Sequence, residues 1–209
     1  MPDRTQDRFG MTLSTSSTAS VDAWQDGIDR LLSQNHAPDL KFQEAIDLDE
    51  GFALAHGCLA YWYQQRARPE EARETIKQAL ALASGVTRRE RQQIEAVSFW
   101  IKGQGRDSIA LIKVHLAEFP RDGLLLRLAH RLYMLGCSGA GSPNFPPGYL
   151  ALLKGVEPHC SDDWAFLAEY AFAHHETGQL DKAMELAQRS LDINPTNAVA
   201  CHSMTHVHF

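Results

Sequence analysis

One stretch of this chain, DWAFLAEYAFAHHETGQLDKAMELAQRSLDINP from Asp163 to Pro195, reads as two amphipathic helices meeting at Gly178. Its register returns earlier in the sequence. Shifting Ala45, Ile46 and Leu48 by one period of about 34 residues lands on Ala79, Leu80 and Leu82, and a second unit runs from Ala53 to about Leu82. A period of this length means stacked helical hairpins. Two helices cross closely only where a small side chain lets the backbones approach, so Ala183, Ala187 and Ala72 are expected as packing residues between large apolar neighbours. The chain is therefore expected to be all-α.

Between the two clear units the pattern weakens but can still be followed. A third pair is expected at Arg89 to Gly103 and Asp107 to Phe119, and a fourth at Gly123 to Gly136 and Gly148 to Val156, ending before Pro158. An inserted loop, Cys137 to Gly148, is rich in Gly and Pro and is expected to be non-helical. Thr87 to Glu90 has the spacing of a capping box, Pro69 stands at a first helical position, and Asp49, Asp122, Asp162 and Asn197 are candidate caps. Residues 1–20 are Ser- and Thr-rich and are expected to form a flexible N-terminal segment ahead of a helical repeat domain spanning 21–209. That domain stops at NAVACHSMTHVHF, with Cys201, Met204 and His208 at positions that would pack against a further helix. An array that ends without a polar cap is expected to be truncated at its C-terminal end, and to self-associate through it.

The hairpin pattern resembles that of tetratricopeptide repeats, which implies a solenoid wound into a right-handed superhelix. A more specific resemblance is carried by LSTSS (Leu13 to Ser17), AHG (Ala55 to Gly57), TRRERQQIEAV (Thr87 to Val97), RLAHRLYMLG (Arg127 to Gly136) and DINPTNAVACHSMTHVH (Asp192 to His208). In this order these blocks are similar to the N-terminal part of the tetratricopeptide repeat protein 38 family. The resemblance implies the fold and an interaction role, and supplies no catalytic mechanism.

Composition narrows the range of functions. A net charge of −6 leaves no basic excess to displace phosphate counterions, which argues against nucleic acid as a partner. No apolar run reaches the roughly 18 to 20 residues of a membrane-spanning helix, so no membrane partner is expected. Four widely spaced cysteines without a C-x-x-C pair encode neither a zinc knuckle nor a disulfide framework, and fit a cytoplasmic protein.

The repeat register points to a concave binding groove lined by Tyr61, Trp100, Arg127, His175, Glu176, His202 and His206. Tyr61 and Trp100 are expected as exposed aromatic anchors, while Trp62 and Tyr63 belong to the core. His202 and His206 share a helix face because residues four apart differ by about 40°, whereas His208 lies about 200° on from His206. His175, Glu176, His202 and His206 form the one combination with metal-ligand chemistry, although H-E-x-x-H is absent and no cofactor is expected. His56 is expected to be a buried imidazole with one partner, and Arg88, Arg89 and Arg91 a solvated first turn. His130, near Arg127 and Arg131, faces the groove or packs at a helix crossing. The leading function is a scaffold that binds a protein or peptide. The alternative is a metal-dependent enzyme whose His-rich groove is completed by a missing C-terminal half.

Overall fold

The computed structural model describes residues 5–135 and 145–207. Among them eleven α-helices follow one another: α1 (Thr18–Ser33), α2 (Pro38–Leu48), α3 (Ala53–Gln65), α4 (Pro69–Leu82), α5 (Arg88–Ile101), α6 (Gly105–Glu118), α7 (Gly123–Leu135), α8 (Phe145–Cys160), α9 (Trp164–Glu176), α10 (Leu180–Ile193) and α11 (Ala198–Val207). No strand is found among the described residues, only an isolated bridge between Gln6 and Thr12. The helices gather into two compact units. One holds the chain up to Leu31 together with His36–Leu111, and the other holds Leu32–Asn35 with the chain from Ile112 onward.

In the first unit the small residues stand where the helices meet. A Cβ on Gly27 would lie 2.6 Å from the Phe42 ring and one on Gly57 would lie 3.1 Å from Ile94, so α1 approaches α2, and α3 approaches α5, at backbone distance. Ala72 and Ala79 on α4 are fully buried. Hydroxyls reinforce these crossings, with Ser20 donating to the Ala45 carbonyl at 2.7 Å and Ser108 to the Ala96 carbonyl at 2.8 Å. Trp24 donates its indole N–H to the Cys58 sulfur at 3.3 Å and tilts against Phe52.

The hairpin turns share one backbone solution. Gly103 and Gly178 end their inner helices at φ +75° and +76°, the left-handed region that favours glycine. Ala67 closes the α3–α4 hairpin at φ 56°, holding the same conformation with a Cβ attached.

The N-terminal segment corrects the expectation of a flexible lead-in. Residues 5–17 are docked on the first unit, and the helix begins at Thr18. Leu13 is 2% exposed. Asp7 closes a tight turn by accepting from the amides of Phe9 and Met11, and its second oxygen forms a buried ion pair with Arg89 at 2.7 Å. Arg89 is thus no solvated residue, unlike its exposed neighbours Arg88 and Arg91. The Thr87–Glu90 capping box forms as expected, and Ser14 is built into it. Ser14 donates its amide and hydroxyl to the Glu90 carboxylate and accepts from the Thr87 amide at 2.9 Å. Thr15 bonds the Asp49 carboxylate at 2.5 Å, and Arg8 pairs with Asp29 of α1 at 2.8 Å. A Ser/Thr-rich composition reads as solvated until its hydroxyls find charged caps to bond, and here they do.

The second unit holds α7 through α11 together with the end of α6. Ala183 and Ala187 of α10 are fully buried against α9, and Ser190 donates to the Trp164 carbonyl at 2.7 Å. Asp163 rather than Asp162 caps α9, accepting from the Ala165 amide at 2.9 Å, while Asn197 accepts from Val199 and Asp122 from Leu125 at the starts of α11 and α7. Helix α8 is longer than expected at both ends. It starts at Phe145, because Pro146 and Pro147 fall in the first turn, where a missing N–H has no intrahelical partner to lose. It also passes through Pro158 to Cys160, since one lost bond in the last turn is outweighed by burying Val156 and Cys160. The remainder of the expected loop, residues 137–144, lies outside the described residues. Among the described residues no helix is long and apolar enough to cross a membrane.

Candidate functional site

Helices α3 and α9 are buried along almost their whole length, from Ala53 to Tyr61 and from Ala165 to His174. A helix sandwiched in this way presents functional side chains only at its ends. The carboxyl end of α9 carries His175 and Glu176, both half-buried, with His175 Nδ1 at 3.1 Å from Glu176 Oε1. Beside it α11 presents His202 and His206, both exposed. Their one-turn spacing brings Nε2 of one to 2.9 Å from Nε2 of the other, with the rings edge to face at 4.4 Å. The His206 ring lies 5.1 Å from that of His175. The rings of His175, His202 and His206 thus stand side by side. Partial burial, and then the charge of His206, lower the pKa of His202 and favour its neutral form. Among the described residues no group of three His, Cys, Asp or Glu side chains is disposed to hold a metal ion. His208 lies outside the described residues.

The remaining expected groove residues are placed differently. Tyr61 is fully buried, and Trp100, 8% exposed, covers it with ring centroids 5.2 Å apart. Neither is a free anchor, because α5 packs on α3 and turns both rings inward. The aromatic residues that reach the surface of this helix are instead Trp62 and Tyr63. Both are half-buried, with the guanidinium of Arg66 over the first at 5.1 Å and that of Arg68 over the second at 4.4 Å. His56 is buried with its Nε2 at 3.1 Å from the Glu50 carbonyl, as expected.

Arg127 is also buried, and it belongs to a network that the sequence reading missed. Glu169, near the middle of α9, receives Arg127 from α7 at 2.5 Å, His130 from α7 through Nδ1, and the Tyr149 hydroxyl from α8 at 2.8 Å. The His130 ring stacks on Phe172 with centroids 4.7 Å apart. Burial alone would raise the Glu169 carboxyl. The charges of His130 and Arg127, with hydrogen bonds from His130 and Tyr149, outweigh it and hold the group at about 2. A buried carboxylate held by donors from α7 and α8 ties three helices together. The signal was present in the sequence, since Glu169 is the single charge within the apolar run from Trp164 to Ala173.

No protein-family model matches the chain. Among solved structures it is similar to a monomeric mutant of IFIT1 with Gppp-AAAA, at a TM-score of 0.58 and 20% sequence identity over 93% of this chain and 45% of that one. It is also similar to YrrB, a TPR protein with an unusual peptide-binding site, at a TM-score of 0.43 and 15% identity over 88% of both chains. The chain thus spans less than half the length of the IFIT1 chain it matches. At these identities the first likeness carries the fold alone, and nothing is rested on the second.

Proposed function

We infer that this chain, a tetratricopeptide-type array of helical hairpins, is a binding scaffold for a protein or peptide partner. The partner engages the surface formed by the end of α9 and the exposed side of α11. The observation behind this reading is the convergence of His175, Glu176, His202 and His206, which supply polar groups in register on successive hairpins while the neighbouring inner positions are taken up by packing. Binding energy at such a surface comes from a few anchors rather than from area. Imidazole N–H groups beside a carboxylate suit a partner rich in hydroxyl and amide groups. The acidic net charge disfavours a polyphosphate chain.

A closer kinship with the tetratricopeptide repeat protein 38 family is part of the same proposal. Two of the blocks on which the resemblance rests, LSTSS and TRRE, meet in space through Ser14, Thr87 and Glu90, so they act as one structural device. On this reading the chain is the N-terminal part of a longer scaffold that self-associates or continues beyond α11. Cys58, Cys160 and Cys201 are thiols and not disulfides among the described residues, in keeping with a reducing, cytoplasmic setting. A second reading, a metal-dependent enzyme completed by further chain, is favoured by the same imidazole cluster. Its first requirement is that the imidazoles hold a metal.

The scaffold reading is tested by selecting peptide ligands from a displayed random library against the purified chain, and titrating the best one against E176Q and the double variant H202A/H206A. Both substituted surfaces should bind at least about tenfold more weakly, a loss of about 1.4 kcal/mol. Unchanged affinity in both would place the binding surface elsewhere and overturn the assignment.

A further inference from the structure

We propose that His202 and His206 form a two-imidazole chelate for a divalent transition metal of square-planar or tetragonal preference, Cu2+ first and Ni2+ second. The observation is the 2.9 Å separation of the two Nε2 atoms, on exposed side chains one helical turn apart. With metal–nitrogen bonds of about 2.0–2.1 Å, two ligands at a right angle stand about 2.8–3.0 Å apart, and two at a tetrahedral angle about 3.3–3.4 Å apart. The observed spacing therefore matches adjacent corners of a square more closely than those of a tetrahedron. Square-planar and tetragonal nitrogen and oxygen sites select Cu2+ or Ni2+, and Cu2+ stands at the top of the divalent affinity order.

Without metal, the same distance is an N–H···N hydrogen bond, one imidazole donating from Nε2. Binding needs only that the donor move its hydrogen to Nδ1, so that both rings stay neutral and both Nε2 lone pairs meet the ion. Between the two histidines Ser203 is buried and donates to the Val199 carbonyl at 3.1 Å, so this part of α11 is packed against its neighbours and not open on all sides. His175 stands 5.1 Å from His206, ring to ring, with its Nδ1 beside Glu176, and the described residues bring no third His, Cys, Asp or Glu into a metal-holding group with the pair. Water fills the remaining corners. The inference needs no partner protein and stands apart from the scaffold reading.

The test is equilibrium dialysis of the full 209-residue chain against Cu2+, Ni2+ and Zn2+ in separate runs, with electron paramagnetic resonance of the copper form. One Cu2+ per chain is expected, held more tightly than Ni2+ or Zn2+, with a spectrum showing two equatorial nitrogens. H202A and H206A should each weaken binding by at least about tenfold, the smallest loss expected when a direct ligand goes, since outer partners alone cost 10–100-fold. H175A and H36A, which remove a neighbouring and a distant imidazole, should leave the two-nitrogen spectrum intact. Undiminished copper affinity in both H202A and H206A, a spectrum with oxygen ligands only, or no stoichiometric uptake would each overturn the proposal.

Discussion

Glu169 shows how one residue can serve structure while resembling a functional group. Its carboxylate is buried, and Arg127, His130 and Tyr149 together balance the cost of its desolvation. Because its folded pKa, about 2, lies below the ordinary value of 4.5, the unfolded chain binds protons first. The stabilisation is therefore complete above about pH 4.5 and is lost as the pH falls toward 2. Removing Arg127 alone leaves the buried carboxylate with only His130 and the Tyr149 hydroxyl to offset its charge. We expect Arg127→Met to lose about 3–5 kcal/mol in urea unfolding near pH 7. That deficit should narrow near pH 3, where the stranded carboxylate takes up a proton. A deficit of the same size at both pH values would mean that the arginine acts through packing and not through Glu169. The histidines of α11 face the opposite condition, since they are exposed and need no such compensation.

Among the secondary elements, the hairpin turns and the N-terminal segment carry the sharpest expectations. Gly178 sits at φ +76°, where a Cβ costs roughly 1–2 kcal/mol, partly offset by the lower entropy of the unfolded alanine chain. Gly178→Ala should therefore destabilise by about 1 kcal/mol. The reciprocal change, Ala67→Gly, relieves the same strain at φ 56° and should be neutral or stabilising by up to about 1 kcal/mol. Thermal unfolding of the pair checks both signs, and a stabilised Gly178→Ala would refute the turn argument. The N-terminal segment acts as a strap rather than a tail. It joins the capping box of α5, the turn before α3 and helix α1 through Glu90, Asp49 and Asp29. Asp7→Asn removes the carboxylate charge that pairs with buried Arg89, at a cost of about 3–5 kcal/mol. Amide exchange offers the direct reading, because the Thr87 and Ser14 amides should lose protection in that variant. Full protection there would show that the strap holds without its ion pair.

At the scale of the whole chain, the hairpin periodicity, the small residues at crossings and most helix boundaries were legible in advance. Ala72, Ala183 and Ala187 are buried as the register requires, and the box at Thr87 closes as its spacing demands. The candidate site was legible in part. The meeting of His175, His202 and His206 follows from position within the repeat, whereas Tyr61, Trp100 and Arg127 were read as surface and are interior. The difference lies in range. Helix formation, turn conformation and one-turn spacing depend on residues close together along the chain, so the amino-acid order by itself determined the hairpins and the His202–His206 pair. Exposure depends on what a distant segment lays over a side chain. Only tertiary packing could decide that α5 covers Tyr61, that α9 carries a carboxylate to Arg127, and that Ser14 travels to Glu90, because each of these contacts is made by groups that sequence proximity does not bring together.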